Sequence, residues 1–248
     1  MADIDRLSAL MARFALRVHV AGSEEANLFV IDGAEGRHLF LRPRAVGMPD
    51  GVRGRIAFQA NVDFGGAEAP LAAALPDELH HGVDEDEELA AVIALMRAEV
   101  DAGRCGGASV LARLAEVLIV RLLRARLEKG DVPRGMLGGL ADPRLARAIV
   151  AMHDSPGDAW NNDDLAAEAG MSRSRFIARF RDAVGTSPQA YLRQWRLALA
   201  QQDVSRGDRI DAVARRYGYG SPEALTHMFR RETGRAPITL RHSASEMP

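Results

Sequence analysis

The chain has 248 residues, 47% of them hydrophobic, with 32 Lys plus Arg against 34 Asp plus Glu and a formal net charge of −2; this length suggests two domains, each able to bury a core. A lone cysteine, Cys105, excludes an internal disulfide and any Cys-x-x-Cys metal site. With no apolar stretch of about 18 residues and no signal-peptide layout, a soluble cytoplasmic protein with no membrane partner is expected.

Residues 1–80 contain LRVHVAG, NLFVID, RHLFLRP and RIAFQANVDF, short runs of Val, Leu and Phe separated by Gly, Asp, Glu and Pro. That texture reads as strands and turns. At about 80 residues the segment is short of a full barrel, so a ligand cavity is expected to be reduced or absent. His80 and His81, in ELHHGVDEDEE, are read as part of a solvated loop, the alternative being adventitious metal binding. Asp84 to Glu88 then open a helix, as the macrodipole favours.

In EELAAVIALMRAEV, residues Leu89, Val92, Ile93, Met96 and Val100 share one side. A GRCGG turn follows; its Cys105 is read as incidental, with oxidant sensing as the alternative. ASVLARLAEVLIVRLLRARL has a broad apolar face of Val110, Leu111, Leu114, Val117, Leu118 and Leu122, with Ile119 beside it. A thin β segment does not cover that much surface, so residues 108–127 are expected to form a homodimer interface; plain packing on the β segment is the other reading. Residues 128–142, with four Gly and one Pro, read as a short flexible linker, its centre at 131–141. A support helix starts with Asp142 as N-cap and Pro143 at N1 and turns Leu145, Ile149 and Met152 inward. Asn161 can cap the next helix, with Asp164 at N3 and Trp160 packed behind it.

The stretch LAAEAGMSRSRFIARFRDAVGTSP, 165–188, reads as two short helices across a turn. Leu165, Ala166 and Ala169 give one apolar face that stops at Gly170, Ser172 is an N-cap, and Phe176, Phe180, Ala183 and Val184 form a buried stripe ending at Gly185. Ser174, Arg175, Ala178, Arg181 and Asp182 fall on the opposite face. This suits a helix-turn-helix with its second helix in a major groove; alone, the pattern fits an αα-hairpin equally well. However, AVARRYGYGSPEALTHMFRRETGRAP repeats it: Leu225, Phe229, Gly234 and Pro237 keep the spacing of Phe176, Phe180, Gly185 and Pro188, and Val213 to Gly218 repeats Leu165 to Gly170, with one extra residue in the second turn. Between the copies, Ser187 and Pro188 open a linker helix with Tyr191, Leu192, Trp195, Leu199 and Val204 on its apolar side. Its length of roughly 27 Å suits two recognition helices in major-groove segments about 34 Å apart. Charge agrees: residues 1–140 hold 16 basic and 21 acidic side chains, residues 141–248 hold 16 and 13, and residues 171–241 hold 14 Arg against 6 acids. Phosphate binding requires such a basic segment.

On these motifs, residues 141–241 resemble the DNA-binding domain of AraC/XylS-type transcription regulators. The resemblance rests on the LAxxAGMS turn, Phe176 with Phe180, Gly185 to Pro188, the YLRxxRL-like start of the linker helix, and YGYGSPEALTHMFRRETGRAP. One departure is Ala178, where the family usually carries Arg, with Arg179 next. The N-terminal segment resembles a shortened cupin-like effector domain that precedes this module in one branch of the family, VDFGGAEAPLAAALP most closely. A metal cupin would need a clustered His-x-His with a following acid, and histidines 19, 38, 80 and 81 do not form one. With no nucleophile elbow, phosphate loop or His-Glu-x-x-His, no catalytic residue, metal ligand or cofactor is assigned.

The expected fold class is a two-domain α+β protein: a small cupin-like β segment (1–80), an αα dimerisation hairpin (81–130), a linker (131–141) and an all-α double helix-turn-helix domain with a linker helix (142–241). The expected function is a sequence-specific DNA-binding transcription regulator reading double-stranded promoter DNA, with effector sensing and homodimerisation in the N-terminal part and a contact with RNA polymerase. The alternatives are a cupin-type metalloenzyme with an attached DNA module, and a ligand-independent DNA-binding protein controlled by a protein partner. Expected DNA contacts are Arg173, Ser174, Arg175, Ala178 and Arg181 from the first unit, and Ser221, Glu223, Thr226, His227, Arg230 and Arg231 from the second. Ser174 and Arg175 are the base readers of the first helix, Arg175 toward guanine; Arg173, Arg181 and Arg230 are phosphate clamps. Ser221 caps the second helix. Glu223 reads as an acceptor from a cytosine amino group or simply as an acid favoured near a helix N-terminus, and His227 as a donor to guanine or phosphate.

Overall fold

The computed structural model describes residues 17–64, 75–84, 86–129 and 134–234, with single positions 7, 72 and 132. The chain divides into two compact units, one over Leu10–Leu137 and the other from Gly138 onward.

In the first unit, alternating apolar runs form five antiparallel strands: β1 (Arg17–His19), β2 (Leu28–Gly33), β3 (Gly36–Leu41), β4 (Arg55–Asp63) and β5 (Leu79–Gly82). Among the described residues their order is β1-β4-β2-β3-β5. Alternation sends successive side chains to opposite faces. Phe29, Ile31 and Phe40 cluster with Ala21 and Ala26 under Met48 and Val52 of the β3–β4 connection. Leu28, Val30, Leu39, Leu41 and Leu79 go the other way and are also buried. Asn27 is a buried polar exception that is fully used, its Nδ2 donating to the Val62 carbonyl (2.9 Å) while its Oδ1 accepts from the Val62 amide (2.8 Å). Asp32 joins three strands by pairing with Arg37 and Arg55. Most of the expected VDFGGAEAPLAAALP stretch, residues 65–71 and 73–74, lies outside the described residues.

Two helices follow, α1 (Glu87–Ala102) and α2 (Gly107–Lys129). Asp86 caps α1 through the Leu89 amide, and Glu87 and Glu88 occupy its first turn, where the dipole favours them. The helices pack on each other, α2 beside β1 and α1 beside β4. Three expectations change here. His80 and His81 stand on a strand, not in a solvated loop: His81 is buried with Nε2 3.4 Å from Asp86, and His80 stacks on Phe40 with Nε2 3.0 Å from His38 Nδ1. Val100 is 43% exposed, not inward like Leu89, Val92, Ile93 and Met96. Finally, the apolar face of α2 is two faces: Leu111, Leu118 and Leu122 are buried within the unit, whereas Val110 and Val117 are each 43% exposed and Leu114 is half-buried. The first three therefore cannot be surface contacts; a face that broad on a helix spans more than one side, and this core takes one of them.

The linker is not flexible to its end. Met136–Ala141 forms α3, with Met136, Leu137 and Leu140 buried. Three apolar residues at helical spacing were enough to override its Gly pair. In the second unit, α4 (Pro143–Asp154), α5 (Asn162–Glu168), α6 (Arg173–Val184), α7 (Pro188–Ser205), α8 (Ile210–Arg216) and α9 (Pro222–Thr233) follow. Asp142 caps α4 from the Arg144 and Leu145 amides with Pro143 at N1, and Asn161 with Asp164 closes a capping box on α5. His153 of α4 is fully buried, 2.7 Å from the Tyr191 hydroxyl and stacked on Trp195 (centroids 3.8 Å), so that α4 holds the linker helix α7.

Candidate nucleic-acid interface

The two repeats have the same backbone. After α5, Gly170 takes φ 61°, and the Met171 amide bonds the Ala166 carbonyl (2.9 Å); after α8, Gly218 takes φ 71°, and the Tyr219 amide bonds the Ala214 carbonyl (2.9 Å). Both are Schellman turns, which need a residue tolerant of positive φ. Phe176 and Phe180 in one unit, Leu225 and Phe229 in the other, are buried completely and aim the opposite helix face outward. Ser221 accepts from the Ala224 amide (3.2 Å) as a cap; Ser172 stands at the cap position of α6 without a side-chain bond.

On α6, Arg173, Ser174, Arg175, Ala178 and Arg181 are all exposed. Arg175 and Arg181 have no ion pair among the described residues, while Arg173 lies 3.2 Å from Asp163 of α5. Arg179, next to the departure at Ala178, is paired with Asp142 at the start of α4 and so serves the scaffold. Burial pushes the Asp142 carboxyl up, but the hydrogen bonds from Arg179 and the Arg144 and Leu145 amides prevail and hold it below its ordinary value. On α9, Glu223, His227, Arg230 and Arg231 are exposed, whereas Ser221 and Thr226 are half-buried. The Thr226 hydroxyl is spent on the Pro222 carbonyl (2.9 Å), and Arg231 on Glu232 (2.6 Å). A hydrogen bond from Ser221 keeps the exposed Glu223 carboxyl below its ordinary value. Arg175, Arg181, Arg230 and His227, without an ion pair among the described residues, are thus on two helices of one unit, donors available for phosphate and base edges.

Sequence reasoning missed the roles of Arg179, His153 and Arg196. The signal for Arg196 was the second Arg of YLRQWRL, on an otherwise apolar stretch of α7: its Nε donates to the Pro156 carbonyl (2.5 Å) and its Nη2 to that of Asp158 (2.6 Å).

A helical unit with two superposable turns and two outward basic helices, following a small antiparallel sheet, defines a helix-turn-helix DNA-binding protein with a separate N-terminal domain. Comparison with known proteins agrees: residues 165–243 match the model of a helix-turn-helix domain and residues 35–128 that of a cupin. A putative AraC-like transcription regulator of Streptomyces antibioticus is 39% identical over 130 residues, 52% of this chain and 43% of its own. The HTH-type transcriptional regulator AlkR of Acinetobacter baylyi is 30% identical over 181 residues, 71% of this chain and 59% of its own. Among solved structures, the DNA-binding domain of AdpA in complex with a target DNA is 34% identical, covering 40% of this chain and 89% of that one, with a TM-score of 0.38. The chain thus carries a helix-turn-helix domain and a cupin-like N-terminal domain, and is similar to AraC-like transcription regulators. It spans about half the length of the curated relatives it matches. No helix among the described residues is long and apolar enough to cross a membrane.

Proposed function

We propose that the protein regulates transcription by reading double-stranded promoter DNA with α6 and α9 in successive major-groove segments. The observation that carries this reading is the pair of matched turns presenting Arg175 and Arg181 on one helix, and His227 and Arg230 on the other, free of competing ion pairs among the described residues. Arg175 and Ser174 read base edges; Arg181, Arg230 and, after release from Asp163, Arg173 clamp phosphates. Glu223, at the first turn of α9, accepts from a cytosine amino group. Ala178 offers only a methyl contact, and Ser221 and Thr226 act through the cap and the first turn of α9. Effector sensing is assigned to the N-terminal unit by domain order, and contact with RNA polymerase by family.

The uncovered part of the α2 face, exposed Val110 and Val117 with half-buried Leu114 between them at i, i+7 and i+4, is a stripe on one side of the helix and serves as a homodimer contact. Selection from a random DNA library at stated salt, with the full chain and with residues 141–248 in parallel, tests the whole reading. The expected result is one motif of roughly two turns for both proteins and a doubled site for the full chain alone. Failure of either protein to enrich a motif overturns it.

A further inference from the structure

The loop between α4 and α5, residues 155–160, belongs to the first helix-turn-helix but touches the second. Gly157 does not take a positive φ, so no left-handed backbone calls for glycine there. Space is what demands glycine: a Cβ there would overlap the carbonyl oxygen of Arg216 at the end of α8, with the Gly218 amide nitrogen 3.8 Å away. The contact is reciprocal, since a Cβ on Gly218 would overlap the Gly157 carbonyl oxygen. At the matching turn of the first helix-turn-helix, the nearest atom to a Cβ on Gly170 is Arg147 Nη1, at 3.8 Å. The two turns therefore share a backbone and differ in surroundings: only the second is pressed against another segment.

The loop is itself fastened to the linker helix. Besides the two Arg196 bonds to the Pro156 and Asp158 carbonyls, Gln189 Nε2 donates to the Trp160 carbonyl (2.9 Å), and Trp160 Nε1 to that of Ser155 (2.9 Å). At the far end of α7, Asp203 accepts from the Tyr217 hydroxyl (2.6 Å) and pairs with Arg216, whose guanidinium also lies 2.7 Å from Asp208. Without the loop, the second helix-turn-helix would be held by α7 and the connection that follows it; with the loop, it is also held at its turn, off the axis of α7.

We propose that residues 155–160 form a brace that fixes the second recognition helix relative to the first, and so sets the spacing between DNA segments that the protein accepts, with Gly157 and Arg196 as its positioning residues. The proposal rests on the two-segment reading above. A rigid pair has already lost its orientational freedom on folding, so correctly spaced DNA meets both helices at once and mis-spaced DNA meets only one.

The test uses the full chain and the site that the wild type selects from a random library, unaltered and with one base pair inserted between the two contacted segments. One added pair rotates the segments by about 35°. For the wild type the insertion should weaken binding about tenfold or more, the scale of a lost specific contact. For Gly157→Val and Arg196→Ala, binding to the unaltered site should fall about tenfold, and the insertion penalty should shrink to about threefold or less. Folded variants, shown by cooperative melting and unchanged helical circular dichroism, that keep the wild-type penalty would overturn the brace. If Gly157→Val does not fold, Arg196→Ala decides alone, because it removes two hydrogen bonds without adding volume. A wild type indifferent to the insertion also overturns the brace while leaving two-segment binding intact; a wild type that selects a single segment overturns the two-segment reading itself.

Discussion

Arg175 and Arg181 are both exposed on α6, and the proposed function gives them different work. Arg175, in the first turn, would read guanine, and Arg181, in the last turn where it complements the helix dipole, would clamp phosphate. Arg175→Ala should flatten sequence preference at one position by about 1–3 kcal/mol, while Arg181→Ala weakens all DNA alike and lowers the salt slope by about one; competition titrations with specific and random DNA at several salt concentrations measure both. Equal effects in the two variants would refute the division. Asp142 is a scaffold residue with a pH signature. Its carboxyl is held below the ordinary 3.8, so its stabilisation is complete above about pH 4 and is lost as pH falls through the lower folded value. Asp142→Ala should cost about 1–2 kcal/mol at pH 7 in urea titrations, and the difference from wild type should narrow below about pH 4. A difference that stays constant down to pH 3 would deny Asp142 that role.

At the level of the element, legibility followed local chemistry. The caps of α4 and α5, the two glycine turns and the Phe176 and Phe180 stripe were readable because each is fixed by residues within a few positions. β5 was not, because nothing in ELHHG alternates strongly; its strand character comes from β3, a partner about 40 residues away. α2 was legible as a helix but not in its sidedness, since Leu111 and Val110 are equally apolar and only the neighbouring sheet and α1 decide which is covered. The assignment of its exposed stripe has a direct test. Val117→Asp should leave the helical circular dichroism unchanged, as the site is exposed within one chain, yet shift sedimentation from dimer to monomer at micromolar concentration. A wild type that is already monomeric would remove the interface. The turn after α5 is equally specific: Gly170→Ala should destabilise by about 1 kcal/mol in thermal melts, from backbone alone, because a Cβ there meets nothing nearer than Arg147 Nη1 at 3.8 Å, an ordinary van der Waals contact.

For the whole molecule, the division into an acidic first half and a basic second half was visible before any folding argument, and the repeat carried the architecture of the second unit. The brace was hidden because it joins carbonyls and a guanidinium, and backbone oxygens have no sequence signature. If the α2 stripe joins two chains, DNA selected by Val117→Asp should contain one copy of the motif where the wild type selects two. A doubled motif that persists in this variant would move dimerisation elsewhere.

Gly139 of α3 lies against Ile149 of α4 and Val184 of α6, the Val184 Cγ2 standing 2.8 Å from where a side chain would begin. The chain entering the second unit is therefore moored beside α6, while among the described residues α8 and α9 are joined to it by α7 and the loop at Gly157. If α6 and α9 read two DNA segments as proposed, a pull on that mooring loads one end of the reading head before the other. The two halves of such an operator would then be unequal by construction, one near the leash and one at the free end.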